Sequence, residues 1–324
     1  MKRTAFVLVL AVLVGFDVSA RDKVGVWSIA PLGMLPGATF SEATAINDRG
    51  EIVGSSGSDT SHAVLWRDGE IIDLGTLGGA SSRAWGINDR GQVVGESKTA
   101  SGDDHAFLWE DGVLTDLAAA GPFNRAWAIN RRGEIVGHYQ LQSLLWRDGQ
   151  LSPITIHGAK DLNDRSDVAG SIFFFEPEFV SHAALWRDGA ILDLGIVPGG
   201  TSSSAWAVNR HRVVVGEGLV GGIVQGFRWE DGVMVRLPSL IEQGATFALD
   251  VNDHGVVVGE SMSDPNAIGG APHGVAWLGD RPIDLGALPG GTASVARSIN
   301  NHGVIAGFSF NAQGQGEATV WMPR

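Results

Sequence analysis

Asp161 and Asp250 each stand two residues before an asparagine, Asn163 and Asn252, in stretches that read alike. Two carboxylates sharing a channel are what a glycosidase or lyase uses, one as proton donor and one as base or nucleophile. Next to these offsets stand Trp85, Trp127, Lys160, Trp206, Leu249 and Arg297. Flat indoles beside a few charges suit a sugar ring or a peptide chain. Two residues after each such asparagine comes a basic or imidazole side chain: Arg49, Arg90, Arg132, Arg165, His211, His254 and His302. Gathered on one face, they would form a collar attracting a carboxylate or sulfate. Their plainer role is as solvated turn positions, balanced by Asp48, Asp89, Asp164 and Asp253 beside them.

Other chemistry has less behind it. The chain has no cysteine, and it contains neither GxSxG nor HExxH. His62, His105, His182 and His273 each precede a tryptophan by four residues. Equivalent positions of stacked units lie about 10 Å apart, the spacing of packed sheets, whereas zinc needs its ligands at about 2 Å. No metal is therefore assigned to them. The acidic stretches at Asp59, Asp103-Asp104 and Asp264 lack the EF-hand pattern for calcium. The Gly-Gly pairs have no GxxxxGK[ST] context and make no phosphate loop. No cofactor is expected.

The elements that position these residues are repeats. Asn47, Asn88, Asn130, Asn163, Asn209, Asn252 and Asn300 are each preceded, four residues earlier, by an alanine and followed, seven later, by a glycine. Each copy then ends in a tryptophan, from Trp66 to Trp321. The period of about 43 residues matches a four-stranded propeller blade. Within one copy the strands read as Ala84–Ile87, Gln92–Glu96, His105–Trp109 and Val113–Leu117. Asn88-Asp-Arg-Gly91 and the recurring Asp-Gly are hairpin signals. The Ala and the second Gly are expected to be small because blades crowd near the axis, with the terminal Trp filling the wider gap between them. The last copy stops at Arg324 without a fourth strand, while a spare strand from Val24 precedes the first. The fold expected is an all-β, seven-bladed β-propeller over residues 21–324, its last blade closed by the N-terminal strand.

The strings His105-Ala-Phe-Leu-Trp109, Asp73-Leu-Gly-Thr-Leu-Gly-Gly79 and Ile87-Asn-Asp-Arg-Gly-Gln-Val-Val-Gly95 resemble the HAF family of probable extracellular repeats. The likeness spans residues 24–324 and fades where Ser166 and Arg212 replace the turn glycine. It implies export and a propeller-like fold, and no reaction.

Export is also read from the first residues: Lys2 and Arg3, an uncharged run from Thr4 to Phe16, then Val18-Ser19-Ala20. This is the order of a signal peptide, here 1–20 with cleavage after Ala20. The mature protein is then secreted or periplasmic, and no later run is long enough to span a bilayer. A formal net charge of −13 argues against nucleic acid. The expected protein is a monomeric binding scaffold for an extracellular glycan, peptide or protein partner. A propeller enzyme using its channel carboxylates is the alternative, and a cell-surface assembly module with no small ligand is a third.

Overall fold

The computed structural model describes residues 27–175, 179–263 and 271–324. The proposed leader and Asp264 lie outside them. Among the described residues, the strands form seven four-stranded antiparallel sheets. Blade 1 runs from Phe40 to Gly75, blade 2 from Gly78 to Asp116 and blade 3 from Arg125 to Pro153. Blade 4 runs from His157 to Gly195, blade 5 from Ser202 to Arg236 and blade 6 from Thr246 to Asp284. Blade 7 takes three strands from Ser294 to Pro323, and its fourth, outermost strand is Trp27–Pro31. Trp27 pairs with Pro323 and Ile29 with Trp321, and the Trp27 indole donates to the Gly303 carbonyl at 3.0 Å. The terminal strands therefore close the ring, and no blade is left with an open end towards its neighbour.

Strand bounds differ little from the sequence reading. The inner strand of blade 2 starts at Gly78, before Ala84, because Gly78 itself joins the ladder opposite Thr99. The outer strand ends at Asp116, after which Leu117–Ala120 turns into a short 3-10 helix.

The repeated alanines are 0–1% exposed and pack against the preceding blade; Ala84 lies among Val53, Ala63 and Leu65 of blade 1. Trp66 likewise fills the seam with Ala306, Ala318 and Val320 of blade 7. The second repeated glycine has a different cause from the one expected. A Cβ on Gly95 would overlap the Arg83 carbonyl oxygen of its own blade. There the inner strand bulges between Ala84 and Gly86 and presses its backbone onto the next strand. The clash is within a blade, not between blades.

Each inner hairpin turn is built by its asparagine. The Asn88 Oδ1 accepts the amides of Arg90 and Gln92 at 3.0 and 3.1 Å, and Gly91 sits at φ 81°. Where the glycine is missing, Ser166 and Arg212 are held at φ 60° and 65°, a left-handed conformation that costs a side-chain-bearing residue about 1–2 kcal/mol.

The other end of the asparagine side chain ties the blades together. Asn47 Nδ2 donates to the main-chain carbonyl of Asn88 at 3.0 Å, and Asn88 to Asn130 at 2.9 Å. The series continues through Asn163, Asn209, Asn252 and Asn300, which donates back to Asn47 at 3.1 Å. Seven buried hydrogen bonds thus form a closed circle around the axis.

Candidate functional site

The inner strands carry their variable side chains into the central channel. On the face of the long loops this opens as a cavity of about 230 Å³ lined by Trp85, Trp127, Lys160, Trp206, Leu249 and Arg297, with Asp161 and Asp250 among the deeper residues. These residues, picked out by their offset from the repeated asparagine, share one space. The three indoles are half-buried against the channel rather than sealed between blades.

Trp85 and Trp127 meet at 4.7 Å between ring centroids, tilted by 54°. Arg83 lies 4.1 Å over Trp85, and Arg125 lies 4.7 Å over Trp127. Lys160 Nζ stands 3.7 Å from the Trp127 centroid and 5.2 Å from that of Trp206. Cations over indole faces are attracted by the ring quadrupole. Arg83 pairs with Glu42, Arg125 with Glu96 at 2.5 Å, and Arg297 reaches Glu42 only at 4.0 Å. Lys160 makes no salt bridge among the described residues. Burial, then the Arg125 charge, bring its pKa down to about 8, with Glu217 opposing. Burial, then Arg125 and Lys160, hold His138 down at about 4. It is thus neutral, which lets Nδ1 accept the Trp127 indole N–H at 2.9 Å.

The carboxylates below are fastened to the fold. Asp161 Oδ2 accepts the Val208 amide of blade 5 at 2.9 Å. Asp250 Oδ2 accepts the Ile299 amide and the Ser298 hydroxyl of blade 7, both at 2.8 Å. Each therefore links its own blade to the next. Burial, with the Asp250 charge adding, pushes the Asp161 pKa up to about 7 against the hydrogen bond from Val208, and burial also raises Asp250. As a chemical pair they are engaged in holding inner strands in register.

The opposite face has an axial pit of about 190 Å³. The seven basic residues expected to form a collar lie on this face but do not line the pit. They are exposed at the turns. Arg49 pairs with Glu51 at 2.6 Å and Arg132 with Glu134 at 3.0 Å. The pit is lined instead by the residue directly after each asparagine, including Asp48, Asp89, Arg131, Asp164, Arg210, Asp253 and Asn301. Arg131 of blade 3 bonds Asp89 at 2.6 Å and Asp48 at 3.0 Å, and approaches Asp164 at 3.6 Å. Four blades are joined through that one guanidinium.

Sequence reasoning overlooked the mates of these groups. Glu51, Glu134 and Asp167, four residues after their asparagines, are buried and each is gripped by two arginines. It also overlooked Glu42, Glu96, Glu217 and Glu260 at the channel mouth. Their signal was available: each glutamate on the second strand follows the repeated glycine directly, as Glu96 follows Gly95. The four histidines before the tryptophans bond one aspartate each, such as His62 to Asp73 at 2.8 Å and His273 to Asp284 at 2.9 Å. Among the described residues no group of three or more His, Asp or Glu side chains could hold a metal ion. Among them, too, no helix is long and apolar enough to cross a membrane.

No protein-family model matches the chain, and no curated protein matches it in sequence. Solved structures do resemble it in fold. The β-propeller domain of the Trilobed protease from Pyrococcus furiosus superposes with a TM-score of 0.62 at 10% identity, over 88% of this chain and 94% of that one. That domain has an open velcro topology, whereas here the N-terminal strand closes the ring. A puromycin-hydrolyzing peptidase from Mycobacterium tuberculosis superposes with a TM-score of 0.53 at 11% identity, over 90% of this chain and 54% of that one. At such identities the likeness is one of fold alone.

Proposed function

We propose that this protein is an exported propeller of the HAF type acting as a binding scaffold, with the indole-lined channel mouth as its ligand site. The observation that carries the proposal is Lys160. It is a half-buried cation held against two indoles, without a salt bridge among the described residues, at the mouth of a cavity sized for one small residue or sugar ring. A ligand bearing an anionic group would complete it and stack its body on Trp127 or Trp206. The extracellular placement rests on the leader-like first twenty residues and on the likeness of the repeats to that family.

Titration of the mature chain with carboxylated sugars and short peptides, read by tryptophan fluorescence, tests this. Binding of at least one of these ligand classes is expected in the wild type and lost in Lys160→Met. A ligand whose affinity is indifferent to Lys160 and to Trp206→Ala would place the site elsewhere.

One feature supports the alternative, a channel enzyme: Asp161, raised to about 7, adjoins Lys160, lowered to about 8. Those values suit proton transfer near neutral pH. The reading requires hydrolysis or elimination of a glycan or peptide that disappears in Asp161→Asn. Turnover unchanged in that variant would remove it.

A further inference from the structure

The mouth of the channel is not evenly neutralised. On blades 1 to 3 its charges are matched, Glu42 with Arg83 and Glu96 with Arg125. On blades 4 to 6 they are not. Lys160 of blade 4, Glu217 of blade 5 and Glu260 of blade 6 make no salt bridge among the described residues. All three are half-buried.

Their arrangement follows from the blade. Lys160 and Trp206 occupy the same inner-strand position, three residues before the repeated asparagine, on adjacent blades. Glu217 and Glu260 stand on the neighbouring strand, opposite Ser204 and Phe247, two residues nearer the long-loop face than Trp206 and Leu249. Glu217 thus lies above Trp206 and near Lys160, with no salt bridge between the two among the described residues. The two still sense each other. Burial raises the Glu217 pKa, and both the Trp206 indole and the Lys160 charge oppose that rise. The Trp206 Nε1 is buried and lies near Glu217, yet it has no well-aligned hydrogen-bond partner. At the same two positions, Trp85 donates to Glu96 at 3.3 Å and Trp127 to His138 at 2.9 Å. Of these three indoles, the one on blade 5 approaches its acid without a well-formed hydrogen bond.

Half-buried charges without partners are costly. A cation and an acid that stand near each other without a salt bridge can each take one end of a group carrying both opposite charges close together. We propose that the channel mouth recognises a zwitterion of the α-amino-acid type, free or as a very short peptide. Its carboxylate lies on Lys160, its ammonium on Glu217 with Glu260 adjoining, and its body on Trp206. An isolated anion would satisfy Lys160 while setting its charge against Glu217. A uronate does so, and an α-amino acid does not. The cavity of about 230 Å³ below the charges accommodates a side chain of ordinary size.

The inference rests on the channel being the ligand site, and the test separates the two. The mature full chain is titrated with L-leucine, L-phenylalanine and Gly-Leu, and in parallel with N-acetyl-L-leucine, L-leucinamide and glucuronate. Binding is followed by tryptophan fluorescence and calorimetry. Free amino acid or dipeptide should bind, and capping either end should weaken binding about tenfold or more, the value of one charge-assisted contact. Lys160→Met should abolish the preference for leucine over leucinamide. Glu217→Gln should abolish the preference for leucine over N-acetyl-leucine. Thermal melts identify any variant that has lost its fold, and Lys160→Gln then replaces Lys160→Met. N-acetyl-leucine or glucuronate binding as well as leucine through Lys160 overturns the zwitterion while keeping the channel as a site. No binding by any of the six compounds overturns both.

Discussion

Replacing Asn88 by Asp exchanges one NH2 for oxygen in a buried side chain that otherwise keeps its shape. The acceptor half survives: an aspartate oxygen can still receive the Arg90 and Gln92 amides that make the turn. The donor half is lost. Asn88 Nδ2 donates to Gln92 Oε1 at 2.8 Å and to the Asn130 carbonyl at 2.9 Å. The first contact can be repaired, because the Gln92 amide can turn round, at the expense of its bond to Glu110. The second cannot. Asn88 and Asn130 are each only 4% exposed, so the Asn130 carbonyl faces a carboxylate with little water to intervene. The Asn130 carbonyl keeps the Gly133 amide at 3.0 Å, but one hydrogen bond lost at about 1 kcal/mol and a buried carboxylate oxygen without a donor at about 1–3 kcal/mol give an expected loss of about 2–4 kcal/mol. Asn88→Ala, which orphans the turn amides as well, should lose about 4 kcal/mol. Urea unfolding of the two variants beside the wild type, followed by circular dichroism and tryptophan fluorescence, measures both. If Asn88→Asp unfolds within about 0.5 kcal/mol of the wild type while Asn88→Ala does not, the asparagine serves only its own turn and the circle contributes nothing.

Three further outcomes follow from the same contacts. Gly259→Ala puts a Cβ onto the Phe247 carbonyl oxygen, so its thermal melt should show a loss of about 3 kcal/mol or more, or no folded protein; a melt like the wild type's would mean that the inner-strand bulge relaxes freely. Asp161 has a folded pKa of about 7 against an ordinary value of 3.8, so the folded state holds the extra proton between them and stability falls as pH rises through that window. Asp161→Asn, which can still accept the Val208 amide, should flatten that fall and be the more stable form at pH 8; an unchanged pH profile refutes the assignment. His273, raised by its hydrogen bond to Asp284, contributes stability that is complete below about pH 6.5 and disappears as pH climbs through its folded value. Asp284 is lowered because the hydrogen bonds from His273 and Gly286 and the His273 charge outweigh its burial, and its share is lost as pH falls through its folded value. His273→Gln should remove the alkaline component and leave acid unfolding by other carboxylates, a difference read from melts across pH 5 to 9.

Periodicity determined the architecture. Seven asparagines at fixed offsets from alanine, glycine and tryptophan state the number of blades, and a missing last strand beside a spare first one states how the ring closes. The hairpin turns were equally open to reading, since Asn88, Gly91 and Asp-Gly act on backbone within a few residues of themselves. Offsets also placed Trp85, Trp127, Lys160, Asp161, Trp206, Asp250 and Arg297 in one channel, because a side chain's direction repeats with the blade. What the sequence could not supply was the partner of each group. Asn88 bonds Asn130, Asp161 bonds Val208, and Arg131 bonds Asp48, each across some forty or more residues. Those contacts depend on the rotation of one blade against the next, and no local pattern encodes it. Position within the turn brings Arg131, directly after its asparagine, to the pit, while Arg90 and Arg132, two residues after theirs, stay outside it. The rotation of one blade against the next pairs Arg83 and Arg125 with glutamates of the preceding blade and leaves Lys160 and Glu217 without a salt bridge among the described residues. Charge in the sequence names the candidates, and distance across the channel decides which of them are left for a ligand.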